Sequence, residues 1–379
     1  MLYQLIIAGL LLGFLVNLIL NLRSLKVPSA SSKVPQPAPL ISVLIPARDE
    51  ELNIASCLES LQKQDYPNFE ILVLDDNSSD NTTTIVRRIA AVDSRIRLIS
   101  GKPLRKGWAG KPFACHQLAR EARGDWFLFT DADTTHAPHM LRSVLVMALE
   151  QKTSLLSGFP LQVANSLPQK IVTPVWYFIL MSWMPIWLLQ RSRKPKMSMS
   201  IGQFLFFPRD EYWRIGGHEA VKSRILEDIW LGVEINRHGG RHMAVDLSSV
   251  VSCNMYRTLG DTWRGLARSI YSLALISPWA LTALIVIGYI LFLSPFYALW
   301  NELFVMPSPS VWRNVIIFQV SVIMIMRWLV DSHFRSPLIS TLMHPFGFAF
   351  LVLDVIYSLS CRIIGTGIEW KDRLYGRKA

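Results

Sequence analysis

Three short apolar runs, each ending in a polar or acidic cluster, constrain this chain more than any other feature. Ile41-Ser42-Val43-Leu44-Ile45 leads into Pro46-Ala47-Arg48-Asp49-Glu50, Phe69 to Leu74 leads into Asp75-Asp76-Asn77-Ser78-Ser79-Asp80, and Trp126 to Phe129 leads to Asp131-Ala132-Asp133. Runs of this length, β-branched or aromatic and bounded by polar residues, read as strands. After the first, Ile54, Leu58 and Leu61 recur at helical spacing; after the second, Ile85 and Ile89 do the same. Such alternation predicts an α/β fold with a parallel sheet covered by helices, and ligands of these sheets bind beyond the carboxyl ends of the strands. The clusters fall there.

Two acidic clusters read as halves of one site. Asp131 and Asp133 present carboxylates at a strand end, a donor set suited to hard divalent cations such as Mg²⁺ or Mn²⁺. Glu227-Asp228, far downstream, would supply a base. Each motif has a plainer alternative. Asp-x-Asp alone is more often a turn or helix cap, Asp75 to Ser78 alone suits a helix N-cap with Asx-type turns, and Glu227-Asp228 suits the start of the amphipathic stretch Ile229 to Ile235. The last two readings of Glu227-Asp228 are compatible, because a helix start is a good place from which to aim a base.

Taken together and in order, Pro46 through Glu50, Asp75-Asp76-Asn77-Ser78, Asp131-Ala132-Asp133, Gly216-Gly217 and Glu227-Asp228 closely resemble the membrane-associated family 2 glycosyltransferases. The resemblance runs from about Ile41 to Tyr271. More narrowly, Gly107 to Cys115, Thr134 to Pro138 and Trp370 to Tyr375 look like the branch that includes carotenoid-acid and hopanoid-associated glycosyltransferases. The resemblance implies a GT-A fold with a mostly parallel sheet and inverting transfer from a UDP- or GDP-sugar. It gives Pro46, Ala47, Arg48 and Glu50 to the nucleotide, Asp76 to the base edge with Asp75 as second choice, and Asp133 to the metal. Asp131 would reach the metal through water, or meet the ribose. It also implies Asp228 as general base, Glu227 as its neighbour, and Gly216-Gly217 beside the acceptor, although the two glycines most simply mark a backbone turn. Lys111, in a Gly-Lys-Pro junction that opens a helix, is either a diphosphate contact or a solvated surface lysine.

Absences narrow the reading. The Gln-x-x-Arg-Trp element of processive polysaccharide synthases is missing; the corresponding stretch, Asn254 to Gly265, offers Arg257 or Arg264 in its place. That favours a single transfer over polymer synthesis. No Gly-x-Ser-x-Gly elbow, His-Glu-x-x-His or Walker loop occurs. His116, His136, His218 and His242 lack paired ligand spacing and read as packed or surface residues. A catalytically silent scaffold would be expected to have lost Asp76, Asp133 or Asp228, and none is lost.

With 51% apolar residues and mean hydropathy +0.30, the 379-residue chain is a membrane protein by composition. The expected organisation is an uncleaved anchor at 1–22, a Pro- and Ser-rich linker at 23–39, a transferase domain at 40–270, C-terminal membrane helices within 271–364 and a basic tail at 365–379. The helices are expected near Ser272–Trp300, Val315–Val330 and Leu338–Ser360, with Pro278 and Pro295 bounding the first. The uncharged stretch 171–189 is read as interfacial or re-entrant, since one crossing there would put Asp133 and Asp228 on opposite sides of the bilayer; Trp176, Trp183 and Trp187 suggest an interface belt. The net charge of +11, with Arg23, Lys26, Lys33, Arg191, Arg193, Lys194 and Lys196 near apolar stretches, predicts contact with anionic lipid headgroups and a cytoplasmic catalytic domain. Three C-terminal crossings would leave the basic tail outside, which predicts either a re-entrant helix or a fourth crossing in 272–304. Four scattered cysteines fit a reducing compartment. The acceptor implied by this setting is a membrane lipid: a polyisoprenoid, carotenoid, hopanoid or glycerolipid. Nucleic acid is not an expected partner.

Overall fold

The computed structural model describes residues 2–191, 198–224, 226–305, 309–370 and 373–375. Arg193, Lys194 and Lys196 of the expected basic cluster, and Lys371, Asp372 and the end of the tail, lie outside the described residues. The chain opens with α1 (Leu2–Ser24) and runs through β1 (Ile41–Ala47), α2 (Ile54–Gln62), β2 (Phe69–Asp75), α3 (Thr82–Ala90), β3 (Ile96–Ser100), α4 (Gly110–Glu121) and β4 (Trp126–Thr130). Next come β5 (Thr134–His136), α5 (Met140–Gln151), β6 (Leu155–Phe159), β7 (Leu161–Gln162), α6 (Leu167–Trp183) and α7 (Ile186–Leu189). β8 (Phe204–Pro208), α8 (Arg209–Arg214), α9 (Gly217–Ala220), α10 (Glu227–Arg237), β9 (His242–Asp246) and β10 (Val251–Cys253) follow. The remainder is α11 (Leu259–Ile276), α12 (Pro278–Phe292), α13 (Ser294–Phe304), α14 (Ser310–His333), α15 (Leu338–Leu342), α16 (His344–Ile364) and the hairpin β11 (Ile368–Trp370), β12 (Arg373–Tyr375).

Two compact units result, and neither is continuous in sequence: residues 25–163 with 186–255 form one, and 1–24, 164–185 and 256–379 form the other. The first is an α/β unit built on a sheet of order β3-β2-β1-β4-β8-β6-β9. β3, β2, β1 and β4 are mutually parallel, with Ile41 opposite Phe69 and Leu44 opposite Phe129; β8 runs antiparallel to β4 and β6, and β6 and β9 are parallel. The near-continuous apolar runs are explained by burial on both faces. Val43, Ile45, Ile71 and Leu128 pack on one side with Leu58, Leu61 and Val144; Leu44, Leu72, Phe127 and Phe129 pack on the other with Leu118, Tyr212 and Leu231. Ile54, Leu58 and Leu61 form the buried stripe of α2 as their spacing predicts, while in α3 Val86 is the buried apolar residue and Ile85 and Ile89 pack at its flanks. A small sheet of order β5-β10-β7 completes the unit.

The second unit is helical, apart from the β11–β12 hairpin. Among the described residues, four stretches are long and apolar enough to cross a membrane: Leu2–Ser24, Leu281–Phe304, Ser310–His333 and His344–Ile364. The expected span at 272–300 is divided: α11 ends at Ile276, Pro278 opens α12, and Pro295 sits in the first turn of α13. Proline supplies no amide to the helical ladder and is tolerated at a first turn, which places the breaks where they are. The expected span from Leu338 is likewise split into α15 and α16, with Pro345 in the first turn of the latter. In the 171–189 stretch the chain breaks after Met184, so α6 belongs to the helical unit and α7 to the α/β unit. Trp176 packs with Val172 and Leu266, and Trp183 against Phe14 and Phe292, so both are packing residues of the helical unit.

The end of α6 shows how this unit satisfies its backbone. Its last carbonyls have no intrahelical partners. Asn17 Nδ2 donates to Ser182 O at 2.8 Å, and Asn21 Nδ2 donates to Met181 O at 2.7 Å and Met184 O at 2.6 Å. Asn17 and Asn21, one turn apart on α1, thereby cap another helix.

Candidate active site

The carboxyl ends of β1, β2 and β4 share one edge because the strands are parallel. The loops beyond β1 and β2 interlock there. Asp49 N–H donates to Ser78 Oγ at 3.0 Å, Ser79 N–H to Asp49 Oδ1 at 2.7 Å, Glu50 N–H to Thr82 Oγ1 at 2.8 Å and Arg48 Nη1 to Asp76 O at 2.9 Å. Asp49 and Asn77 take left-handed φ values of 51° and 58°, which short polar side chains tolerate better than most. Asp75 accepts from Ser78 N–H at 3.2 Å and from Thr83 Oγ1 at 2.8 Å, so its carboxylate holds the turn and the first turn of α3. Asp76 is buried beside it, its N–H donating to Ala47 O at 2.7 Å. Pro46 stays within β1, opposite Leu74.

Lys111 joins the two acidic clusters. α4 opens at Gly110, as the Gly-Lys-Pro junction predicts, and Lys111 Nζ reaches 2.6 Å from Asp131 Oδ1 and 3.5 Å from Glu227 Oε1. It also donates to Gly202 O at 3.3 Å. Gly202 N–H in turn donates to Asp228 Oδ2 at 2.7 Å, while Asp228 Oδ1 accepts from Ile229 N–H at 2.9 Å. A Cβ on Gly202 would lie 3.1 Å from Asp228 Oδ2 and 3.3 Å from Lys111 Nζ, tight enough to press on both. Glu227 and Asp228 also open α10, so the helix-start reading and the site reading hold together.

Charge in this crevice is costly. Burial, opposed by Lys111, pushes Glu227 up to about 7, and burial raises Asp228 as well. Burial works against the ammonium of Lys111, but Asp131 and Glu227 outweigh it and hold the group above its ordinary value. Asp133 is raised to about 7 by burial, then by Asp131 and Glu50. Its Oδ1 lies 3.5 Å from Cys253 Sγ, and its carbonyl accepts from Asn254 N–H at 2.9 Å.

Like-charged carboxylates crowded around a half-buried Asp133 are the arrangement that a divalent cation relieves, so the donor set fits Mg²⁺ or Mn²⁺. Among the described residues no three His, Cys, Asp or Glu side chains gather as a complete ligand set.

Gly216 and Gly217 start α9 with φ of 80° and 52°, and a Cβ on Gly217 would meet the Tyr212 ring at 2.5 Å. His136 and His218 are buried and held neutral, both down to about 3 by burial; His116 packs between Trp108 and Trp213, and His242 meets Ser200 at 3.1 Å. Arg264 is paired with Asp261 at 2.8 Å in the first turn of α11. Sequence reasoning missed Gly202, Gln203 and Cys253. Only the run Phe204 to Phe207, a buried strand by its composition, pointed to that part of the site.

Comparison with known proteins agrees with this geometry. Residues 42–216 match the family model for glycosyl transferase family 2. A 4,4'-diaponeurosporenoate glycosyltransferase of Staphylococcus haemolyticus is 28% identical over 199 residues, 52% of each chain. A UDP-Glc:alpha-D-GlcNAc-diphosphoundecaprenol beta-1,3-glucosyltransferase of Escherichia coli is 34% identical over 136 residues, 36% of this chain and 51% of that one. The chain thus spans about half the length of these curated relatives. Among solved structures, a mannosyltransferase of Pyrobaculum calidifontis in complex with GDP-Man and Mn²⁺ superposes with TM-score 0.54 at 17% identity, over 94% of this chain and 99% of that one. Residues 42–216 therefore match the family 2 glycosyl transferases, and the fold is of the GT-A type.

Proposed function

We propose that this protein is an inverting glycosyltransferase that moves a single sugar from a UDP- or GDP-sugar to a membrane lipid at the cytoplasmic face. The observation that carries the reading is the Lys111 bridge, which gathers Asp131 and Glu227 into one crevice and, through Gly202, places Asp228 at its side. Ala47, Arg48, Glu50 and Asp76 bind the nucleotide on the interlocked loops, and Lys111 turns its ammonium toward the diphosphate. Asp133, with Asp131, holds Mg²⁺ or Mn²⁺, which neutralises charge on the departing diphosphate when bound. Asp228 takes the proton of the acceptor hydroxyl while that oxygen bonds to the anomeric carbon and the bond to the diphosphate breaks on the opposite face. A raised proton affinity suits a base that must accept a proton near neutral pH.

A lipid acceptor is supported by the four long apolar helices and by the relatives, whose names specify a carotenoid acid and a diphosphoundecaprenol. Exposed Arg23, Lys26, Lys33 and Arg191 suit anionic headgroups on the cytoplasmic leaflet. Membranes containing the protein, incubated with labelled UDP- and GDP-sugars, should yield label extractable into organic solvent. Label found only in water-soluble polymer would overturn the reading in favour of a polysaccharide synthase.

A further inference from the structure

A one-way chain of side chains, buried at Gln203 and Cys253, leads to Asp133. Gln162 Nε2 donates to Gln203 Oε1 at 3.0 Å, Gln203 Nε2 donates to Cys253 Sγ at 3.0 Å, and Cys253 Sγ lies 3.5 Å from Asp133 Oδ1. A carboxylate that holds a cation is ionised and only accepts, so toward that form the thiol hydrogen points at Asp133. The amide N–H on the sulfur fixes that direction, and Gln162 fixes which end of the Gln203 amide faces the sulfur. Gln203 and Cys253 are 3% and 1% exposed, so the chain runs through the interior.

The backbone holds the same place rigidly. Cys253 is opposite Thr134 in the β5–β10 pair, Asn254 N–H donates to Asp133 O at 2.9 Å, and Gln203 O accepts from Thr130 Oγ1 at 3.0 Å. Both segments flanking the Asp131-Ala132-Asp133 turn are therefore tied to the residues that carry the relay. A thiol is a weak donor, able to orient a carboxylate oxygen without competing strongly with a cation for its charge.

We propose that Gln162, Gln203 and Cys253 are positioning residues that fix the Asp133 carboxylate for the divalent cation. The inference rests on the reading of Asp133 as a metal ligand, and it adds residues that no sequence motif marks. Groups hydrogen-bonded behind a metal ligand commonly set affinity as strongly as their distance from the metal would argue against.

The test uses the full chain in detergent with Mn²⁺ and UDP or GDP, whichever the wild type binds, and reads free Mn²⁺ by electron paramagnetic resonance. Cys253→Val should weaken nucleotide-dependent Mn²⁺ binding by about 10-fold or more, in the range seen for residues behind metal ligands. Cys253→Ser, which keeps a donor, should bind close to wild type. Gln203→Met should weaken binding in the same direction by freeing the thiol to rotate, and it serves as the probe if the valine variant does not fold. Metal-free nucleotide binding should be unchanged in every folded variant. Wild-type Mn²⁺ affinity in folded Cys253→Val, or in Gln203→Met with an unchanged melting temperature, would overturn the relay while leaving the metal site standing. Absence of nucleotide-dependent Mn²⁺ binding in the wild type would remove the metal reading, and the relay with it.

Discussion

Lys111 is where a sequence-distant pair of acidic clusters becomes one electrostatic unit, and its removal is the most direct probe of that unit. Lys111→Met should weaken donor binding and cut transfer by about 10²-fold, the scale of losing one fixed charge at a polar transition state. Lys111→Arg should not restore activity, because a planar guanidinium does not fit the ammonium's place against Gly202 O. Full transfer by Lys111→Met would show the bridge to be idle. Asp228→Asn should reduce transfer by about 10²-fold or more with donor binding nearly intact, whereas Asp133→Asn should weaken metal-dependent donor binding as well. Equal loss of donor binding in both would mean the roles are misassigned.

The pH dependence follows from the same residue. A base must be deprotonated to act, so transfer is lost as pH falls through its folded pKa. Burial raises Asp228, so the acid limb of kcat/KM should lie above the ordinary carboxylate range near about 4. Because Glu227 and Asp228 share one buried corner, that limb belongs to the pair. An acid limb at the ordinary carboxylate position would count against Asp228 as the base.

Among the elements, those built from local pattern were legible and those built from distant pairing were not. β1, β2 and β4 announced themselves because strands buried on both faces read as apolar runs with polar ends, and α2 because Ile54, Leu58 and Leu61 keep helical spacing. The acidic residues of the site were visible because carboxylates are rare where strands end in apolar runs. Gly202, Gln203 and Cys253 were not, since their roles depend on β8 inserting antiparallel between β4 and β6 and on β10 pairing with β5. No residue near them states that pairing. The C-terminal apolar helices lie where hydropathy is high, but their breaks depended on Pro278, Pro295 and Pro345, of which only the first two were read as boundaries.

The capping of α6 by α1 gives an element-scale prediction. Replacing Asn21 with Leu takes the buried side-chain donor from Met181 O and leaves Met184 O only the longer contact from Asn17 Nδ2 at 3.4 Å, a loss of about 1–3 kcal/mol. The thermal midpoint of the detergent-solubilised protein should fall. Asn17→Leu should cost less, because its bonds are only partly buried or exposed. Unchanged midpoints in both variants would show that water or lipid headgroups serve those carbonyls equally well.

At the scale of the whole molecule, α1 is one part of a helical unit that also draws on residues 164–185 and 256–379. Removing residues 1–24 should therefore leave a chain that still floats with membranes in a density gradient, held by Leu281–Phe304, Ser310–His333 and His344–Ile364. Release of that truncated chain into the soluble fraction would show α1 to be the whole anchor.

The interruption of the α/β unit by α6 also sets an order of assembly. A ribosome finishes β4 at Thr130, then makes α6, and only afterwards produces β8 from Phe204, the strand that must pair with β4. At roughly 5–20 residues per second of synthesis, the unpaired edge of β4 waits several seconds while a helix of the other unit emerges. An open sheet edge invites pairing with other chains. Nascent protein is thus most exposed to misassembly in that interval, and folding helpers that bind bare strand edges would matter more for this protein during translation than after it.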